Sequence, residues 1–78
     1  MKNILIYTTN TCPYCSLAKK LLQDRKLSYT EIRVDLNDEE REKMITLSGR
    51  QTVPQIFIGD AHIGGYDDLY TYFKSQQK

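Results

Sequence analysis

Apolar and polar positions alternate along the chain in strand-like and helix-like patterns. Residues 3–8 form an almost continuous apolar run, which is typical of a strand covered on both faces, as in a parallel sheet between helices. After a polar loop at residues 9–11, a segment with helical spacing runs to about Arg25. The apolar positions of this helix, which predict its buried stripe, are Leu17, Ala18, Leu21 and Leu22.

A second strand and a second helix are predicted next. Residues 27–34 alternate in part and predict the strand. Asn37 or Asp38 can cap the helix that follows, because their side-chain oxygens accept hydrogen bonds from free N–H groups. Gly49 is suited to end this helix. Its predicted apolar side consists of Met44, Ile45 and Leu47.

The last third of the chain predicts two strands and a helix. Residues 52–58 form a strand that opens on a proline, and Gly59-Asp60 predicts a hairpin that returns through residues 61–63. The final helix is predicted from Tyr66 to about Ser75. Its apolar positions at helical spacing are Leu69, Tyr72 and Phe73.

The predicted order is therefore β-α-β-α-β-β-α, an α/β fold. A strand–helix–strand start requires a right-handed crossover and parallel pairing of the first two strands. The closing hairpin must be antiparallel, so the expected sheet is a mixed one of four strands flanked by three helices.

Length and charge narrow the classes of function. The 78 residues predict one small domain, residues 1–78, and a net charge of +1 provides no basic surface for nucleic acid. No apolar stretch resembles a signal peptide or a membrane span, so we expect a protein of the cytoplasm with no membrane partner. We also expect a monomer. A stable structural disulfide is rare in that compartment.

Two cysteines three positions apart, Cys12 and Cys15, lie at the junction of the first strand and the first helix. This arrangement is typical of a redox pair in a cytosolic protein. A structural disulfide here would close a loop of only four residues. The loss of entropy in the unfolded chain would stabilise the fold by about 2 kcal/mol, against about 3 kcal/mol for a loop of fifteen residues. A structural zinc site needs four ligands, and beyond the cysteines the chain offers one histidine, His62, which we expect to be a surface or packing residue.

The position of the cysteines assigns different roles to them. Pro13 suits the first helical position, which makes Cys12 the N-cap, where its thiolate would accept the N–H groups of Tyr14 and Cys15. The helix dipole adds about 0.3–1 kcal/mol of stabilisation, whereas Lys19 lies two turns away. Cys12 is thus the predicted nucleophile. Cys15, one turn further in, is predicted to keep an ordinary pKa and to resolve the mixed disulfide.

Three motifs occur in order along the chain: CPYC after the first strand, TVP at the third, and GGYDDL before the last helix. Together they resemble a glutaredoxin of the dithiol class, in the short form of the thioredoxin-like fold, over essentially the whole chain. The resemblance implies a glutathione-dependent oxidoreductase for protein disulfides and glutathione mixed disulfides. It also implies glutathione as co-substrate, no tightly bound cofactor, and ribonucleotide reductase as one candidate among client proteins.

The resemblance also implies how glutathione is held at its cysteinyl part. Pro54 would follow a cis bond beside the cysteine pair and turn the backbone of Val53 outward. The amide and carbonyl of Val53 would then pair with the ligand as an added strand, with Thr52 lining the same groove. Tyr14 is either a spacer or a lip against which the substrate rests, and we favour the lip.

For the γ-glutamyl end, the resemblance implies that Tyr66 and Asp67 supply backbone amides to the carboxylate and that Asp67 or Asp68 faces the amine. The same residues also fit an ordinary turn before an Asp-rich helix start. Many relatives carry a third cysteine where this chain has Tyr66.

The glycyl end departs from the family pattern. Many glutaredoxins have a lysine three residues before the first cysteine, and Thr9 stands there in this chain. The matching basic contact is predicted at Arg41, with Arg50 and Gln51 as alternatives. Arg41 equally fits a solvated helix charge that contributes little to stability.

Two other functions remain open on sequence grounds. One is a thioredoxin-like electron donor recycled by a flavoprotein reductase, which differs in not being reduced by glutathione. The other is a dimeric iron–sulfur or metal-binding module in which two chains share four thiolates. A coloured protein as purified would distinguish this module from a thiol enzyme.

Overall fold

The computed structural model describes residues 3–76 of the protein. Its elements are β1 (Ile4–Thr8), α1 (Pro13–Asp24), β2 (Thr30–Arg33), α2 (Asp38–Ser48), β3 (Gln55–Ile58), β4 (Ala61–Gly64) and α3 (Tyr66–Gln76). The predicted order is confirmed, while residues 1–2 and 77–78 of the predicted domain lie outside the described range. Within that range, no helix has the length and apolar character needed to cross a bilayer.

The four strands form one mixed sheet in the order β2-β1-β3-β4. Strands β1 and β2 are parallel, with Tyr7 opposite Ile32, whereas β1 and β3 are antiparallel, with Ile6 opposite Ile56. Strands β3 and β4 form the antiparallel hairpin. The predicted parallel start and antiparallel end are both confirmed, and β2 and β4 are the edges of the sheet.

Both faces of the sheet are covered by apolar clusters, because side chains along a strand point alternately to opposite faces. One cluster joins the sheet to α1 and α3: Ile4, Ile6, Ala18, Leu22, Ile56, Ile58, Leu69 and Phe73. The other joins it to α2: Tyr7, Val34, Met44 and Phe57. The prediction that the first strand is buried on both faces is confirmed.

The predicted apolar stripes were wrong at two leucines. Leu17 is 43% exposed and Leu47 is 53% exposed. Ala18 and Leu22 face the core, and Leu17 lies one residue, about 100° of helix rotation, away from Ala18. Leu47 borders an open cavity of about 230 Å³ beside the β3–β4 hairpin, so its side chain stays partly in solvent.

Two strands are shorter than predicted. Strand β2 begins at Thr30 rather than Leu27, because the N–H of Leu27 still bonds to Leu22 at the end of α1 and Lys26 adopts a left-handed φ of 59°. Strand β3 begins at Gln55 rather than Thr52, after a proline that has no N–H to donate to a strand ladder. The chain before β3 therefore forms part of the site rather than of the sheet.

Helix α2 has the ends that the sequence predicts, with Asn37 rather than Asp38 as its N-cap. Asn37 is the N-cap, and its Oδ1 accepts the N–H of Glu40 at 3.2 Å. Gly49 ends the helix in the left-handed conformation, with φ of 73°, a conformation in which a Cβ is strained.

Ion pairs occupy the exposed edge at β2. Glu31 Oε2 accepts the hydroxyl of the buried Thr8 at 2.6 Å and lies 3.0 Å from Lys19 Nζ on α1. Arg33, on the same strand, pairs with Asp35 at 2.6 Å. The edge strand β2 thus carries charged side chains that are paired within the chain.

Candidate functional site

Cys12 is the N-cap of α1, as predicted, with Pro13 in the first turn. Its Sγ accepts a hydrogen bond from the N–H of Cys15 at 3.1 Å. The predicted donors were the amides of Tyr14 and Cys15, and the structure brings that of Cys15 into bonding distance. The thiol also lies 3.6 Å from the carbonyl oxygen of Val53, to which it donates when protonated. Cys12 is partly exposed and not in a disulfide.

Cys15 lies beneath Cys12 and is 1% exposed. Burial raises the pKa of its thiol to about 12, and a hydrogen bond to Cys12 and the charge of Cys12 act in the same direction. The backbone N–H of Thr9 and the charge of Lys19 lower this pKa, but by less. The predicted ordinary pKa for Cys15 was therefore wrong, because the sequence did not show how completely the helix would bury this side chain.

A groove of about 280 Å³ lies beside the cysteine pair. Three segments distant in sequence form its walls: Tyr14 of α1; Arg50, Thr52, Val53, Pro54 and Gln55 before and at the start of β3; and Gly65, Tyr66, Asp67 and Asp68 at the start of α3. Of the residues predicted to bind substrate, the structure brings all but Arg41 to this groove.

The Val53–Pro54 peptide bond is cis, as the resemblance implied. Pro54 is buried, and its carbonyl oxygen faces Gly65, where a Cβ would lie 3.6 Å away. The loop before β3 therefore packs directly on the turn before α3. This contact joins two of the three walls of the groove.

Asp68 organises the N-terminus of α3. Its Oδ2 accepts the N–H of Gly65 at 3.1 Å and lies 3.7 Å from Arg50 Nη1 across the groove. Gly64, with φ of +119°, packs so closely on Asp68 that a Cβ would lie 2.8 Å from its Cγ. The glycine is thus required both by its backbone conformation and by this contact.

The candidate residues for the glycyl end lie in different places. Arg50 lines the groove. Arg41 is half-buried on the first turn of α2, where its N–H bonds to Asn37, and it is not among the lining residues. Gln51 is exposed and also lies outside the lining, and Thr9 is half-buried beside Cys15.

A row of aromatic rings borders the groove. The ring centroids of Tyr14 and Tyr66 are 6.3 Å apart, and those of Tyr66 and Tyr70 are 6.5 Å apart. Tyr14 is largely exposed, so its ring forms a rim between the cysteine pair and the start of α3. This position is compatible with the lip predicted for Tyr14.

Sequence reasoning missed Gln55 as a residue of the site. It is buried, lines the groove, and accepts a hydrogen bond at 2.7 Å from His62, which was expected to be a surface or packing residue. The available signal was a polar residue at the first position of a strand whose other residues are apolar. Across residues 3–76, no three His, Cys, Asp or Glu side chains are grouped so that they could hold a metal ion.

Comparisons with known proteins agree with this geometry. A family model described as glutaredoxin matches residues 4–63. Glutaredoxin 3 of Escherichia coli K12 is 57% identical over 70 residues, which cover 90% of this chain and 84% of that protein.

Two solved structures are similar along nearly the whole chain. The solution structure of a glutaredoxin from Brucella melitensis has a TM-score of 0.83 and 44% identity, covering 99% of this chain and 84% of that one. The crystal structure of a buckwheat glutaredoxin–glutathione complex has a TM-score of 0.85 and 30% identity, covering 95% and 70%. The fold is therefore thioredoxin-like, and the cysteine pair is that of a thiol–disulfide oxidoreductase: the chain belongs to the glutaredoxin family.

Proposed function

We propose that this oxidoreductase depends on glutathione and that Cys12 is the nucleophile and Cys15 the resolving thiol. The observation that carries the proposal is the groove that runs from Tyr14 and Val53 to the N-terminus of α3, with the carbonyl oxygen of Val53 lying 3.6 Å from Cys12 Sγ. It combines exposed backbone, a helix N-terminus and charged side chains of both signs, which suit a small zwitterionic peptide. The related buckwheat protein has been crystallised as a glutathione complex.

In the first step, the Cys12 thiolate attacks one sulfur of the substrate disulfide. A new bond forms to Cys12, the old bond breaks, and the departing sulfur leaves as a thiolate that takes a proton. If Cys12 now carries glutathione, a second glutathione thiolate attacks that sulfur, which releases glutathione disulfide and regenerates Cys12.

With a protein disulfide, Cys15 instead attacks the sulfur of Cys12. This releases the client as a dithiol and leaves a Cys12–Cys15 disulfide, which two glutathione molecules reduce while they are oxidised to glutathione disulfide.

The environment of Cys15 suits this order of events. In the free enzyme its pKa is raised by burial and also by the hydrogen bond and charge of Cys12. Both contributions from Cys12 end once Cys12 is held in a mixed disulfide, whereas burial, the N–H of Thr9 and the charge of Lys19 remain. The pKa of Cys15 therefore falls at the stage at which its thiolate is needed.

The groove residues take the remaining roles. The backbone of Val53 pairs with the cysteinyl part of glutathione, beside Thr52 and the rim of Tyr14. The amides of Tyr66 and Asp67 hold the γ-glutamyl carboxylate, with Asp67 or Asp68 facing the amine. For the glycyl carboxylate, the position of Arg50 in the groove supports it over Arg41.

The test is the reduction of a small glutathione mixed disulfide by glutathione, coupled to glutathione reductase. We expect turnover by the wild type, none by Cys12→Ser, and retained turnover by Cys15→Ser, since glutathione can resolve the intermediate in place of Cys15. Equal, total loss in both variants would contradict the assigned roles. A wild type that is reduced by a flavoprotein reductase but not by glutathione would refute the glutathione dependence.

A further inference from the structure

A buried glutamine connects β4 with the wall of the groove. Gln55 is 1% exposed. Its side-chain oxygen lies 2.7 Å from His62 Nε2. Its side-chain nitrogen lies 3.0 Å from the carbonyl oxygen of Thr52 and 3.2 Å from Thr52 Oγ1. All of these contacts join β3, β4 and the loop that precedes Pro54.

The chemistry of these groups permits a single arrangement of hydrogens. The carbonyl oxygen of Thr52 can only accept, so the NH₂ group of Gln55 must face it and the amide oxygen must face His62. Nε2 of His62 must then carry a proton and donate it, in the neutral as in the charged ring. His62 is thus the donor at the start of a chain of hydrogen bonds that ends at the groove.

The other end of this chain is a hydroxyl on the groove surface. Thr52 Oγ1 accepts a hydrogen bond from Gln55, so its own proton is free to be donated elsewhere, and Thr52 lines the groove. Its neighbour Val53 has the carbonyl oxygen that lies 3.6 Å from Cys12 Sγ. The chain therefore fixes the loop segment nearest to the nucleophile.

We propose that His62 is a positioning residue for ligand binding. Acting through Gln55, it fixes the Thr52–Val53 segment and turns the Thr52 hydroxyl into a donor for a carbonyl or carboxylate oxygen of the bound peptide thiol. The inference rests on the proposed function, since the ligand concerned is glutathione. The ring of His62 also packs at 4.9 Å from the ring of Phe57, which holds it in the orientation that the hydrogen bond needs.

The test separates donation by His62 from its packing. His62→Leu keeps an apolar side chain against Phe57 but removes the donor, and His62→Gln restores an N–H donor. The exposed neighbour Ala61 offers a matched control, Ala61→Ser. For a glutathione mixed disulfide, we expect His62→Leu to raise KM by about tenfold, the factor that corresponds to 1.4 kcal/mol. The expected kcat is unchanged, and His62→Gln and Ala61→Ser should remain near the wild-type KM.

Alkylation of Cys12 by iodoacetamide serves as a second readout, because this reagent does not need the groove. Its rate should be the same in wild type and His62→Leu. An unchanged KM in His62→Leu would overturn the inference. A fall in kcat alone, which a smaller folded fraction produces, would overturn it as well. Both results would leave the proposed function intact. A wild type with no glutathione-dependent turnover would instead overturn the proposed function, and this inference with it.

A second pair of variants covers the case in which His62→Leu does not fold. Thr52→Ser keeps the hydroxyl at the end of the chain, and Thr52→Val replaces it with a methyl group of similar size. We expect KM to rise more in Thr52→Val, which lacks the hydroxyl, than in Thr52→Ser, which keeps it. Equal KM values in these two variants would overturn the role of the hydroxyl as a donor.

Discussion

A methyl group at Gly64 should destabilise the protein far more than one at Gly49, although both glycines have positive φ. Within residues 3–76, no heavy atom beyond its two chain neighbours lies within 4 Å of a Cβ built at Gly49, where φ is +73°. In Gly49→Ala, the left-handed conformation of the alanine lowers the free energy of unfolding by about 1–2 kcal/mol. The stiffer unfolded chain offsets about 0.4–1 kcal/mol of this loss. The expected net loss is about 1 kcal/mol.

In Gly64→Ala, a steric clash adds to the penalty for placing a side chain at positive φ. At φ of +119° a side chain costs about 1–3 kcal/mol. The new Cβ would also overlap the carboxylate of Asp68, with Cγ at 2.8 Å and Cβ at 3.0 Å. Moving Asp68 away breaks its hydrogen bond to the N–H of Gly65, which is worth about 0.5–1.5 kcal/mol. These two terms sum to about 1.5–4.5 kcal/mol, and the stiffer unfolded chain offsets about 0.4–1 kcal/mol as it does at Gly49, so the expected net loss is about 2 kcal/mol.

Thermal unfolding followed by circular dichroism measures this difference. In a domain of this size, 1 kcal/mol lowers Tm by about 4–8 °C, so the decrease in Gly64→Ala should be at least twice that in Gly49→Ala. Asp68→Ala removes the carboxylate, whose Cγ would lie 2.8 Å from the new Cβ at position 64. This substitution should therefore lower Tm less in the Gly64→Ala background than in the wild type. Equal Tm losses at the two glycines, or additive effects of Gly64→Ala and Asp68→Ala, would refute the reasoning.

Two predictions concern titratable groups. Cys12→Ser should lower the pKa of Cys15, measured from thiolate absorbance against pH, because the hydrogen bond and charge of Cys12 raise it; an unchanged value would contradict the proposed activation of the resolving thiol. Stability should fall in two steps on acidification, because the pKa of His62 is lowered from 6.5, chiefly by burial, and two carboxyl groups have lowered pKa values. The pKa of Glu31 is lowered from 4.5, chiefly by the hydrogen bond from Thr8, and that of Asp35 is lowered from 3.8 to about 2, chiefly by the hydrogen bond from Arg33. In urea midpoints measured against pH, the step near neutral pH should disappear in His62→Gln. The acid step should become smaller in Glu31→Gln, where Asp35 still contributes. An unaltered profile in either variant would contradict that assignment.

Local signals in the sequence were sufficient for the element order and the helix ends. The N-caps at Cys12 and Asn37 depend on a side chain and on backbone N–H groups within four residues, and the stop at Gly49 depends on the absence of a Cβ, so a short window contains the whole cause. The order of elements then fixed the parallel and antiparallel pairings, because short connections leave few other topologies.

The errors concern properties set by distant residues. Periodicity marks a broad apolar face on α1, but the docking of that helix on the sheet decides that Ala18 is buried and Leu17 is not. Likewise, the pKa of Cys15 depends on how much of the fold covers it. The connection of Gln55 with His62 exists because the β3–β4 hairpin brings them side by side, and no motif in the sequence signals it.

The charged edge at β2 has a consequence for the behaviour of the protein in concentrated solution. An unpaired edge strand invites a second copy to add its own strand and so begin aggregation. Here Glu31 and Arg33 are each engaged in an ion pair within the chain, at 3.0 Å and 2.6 Å. Charged side chains on an edge strand disfavour the addition of another strand. The edge therefore resists self-association.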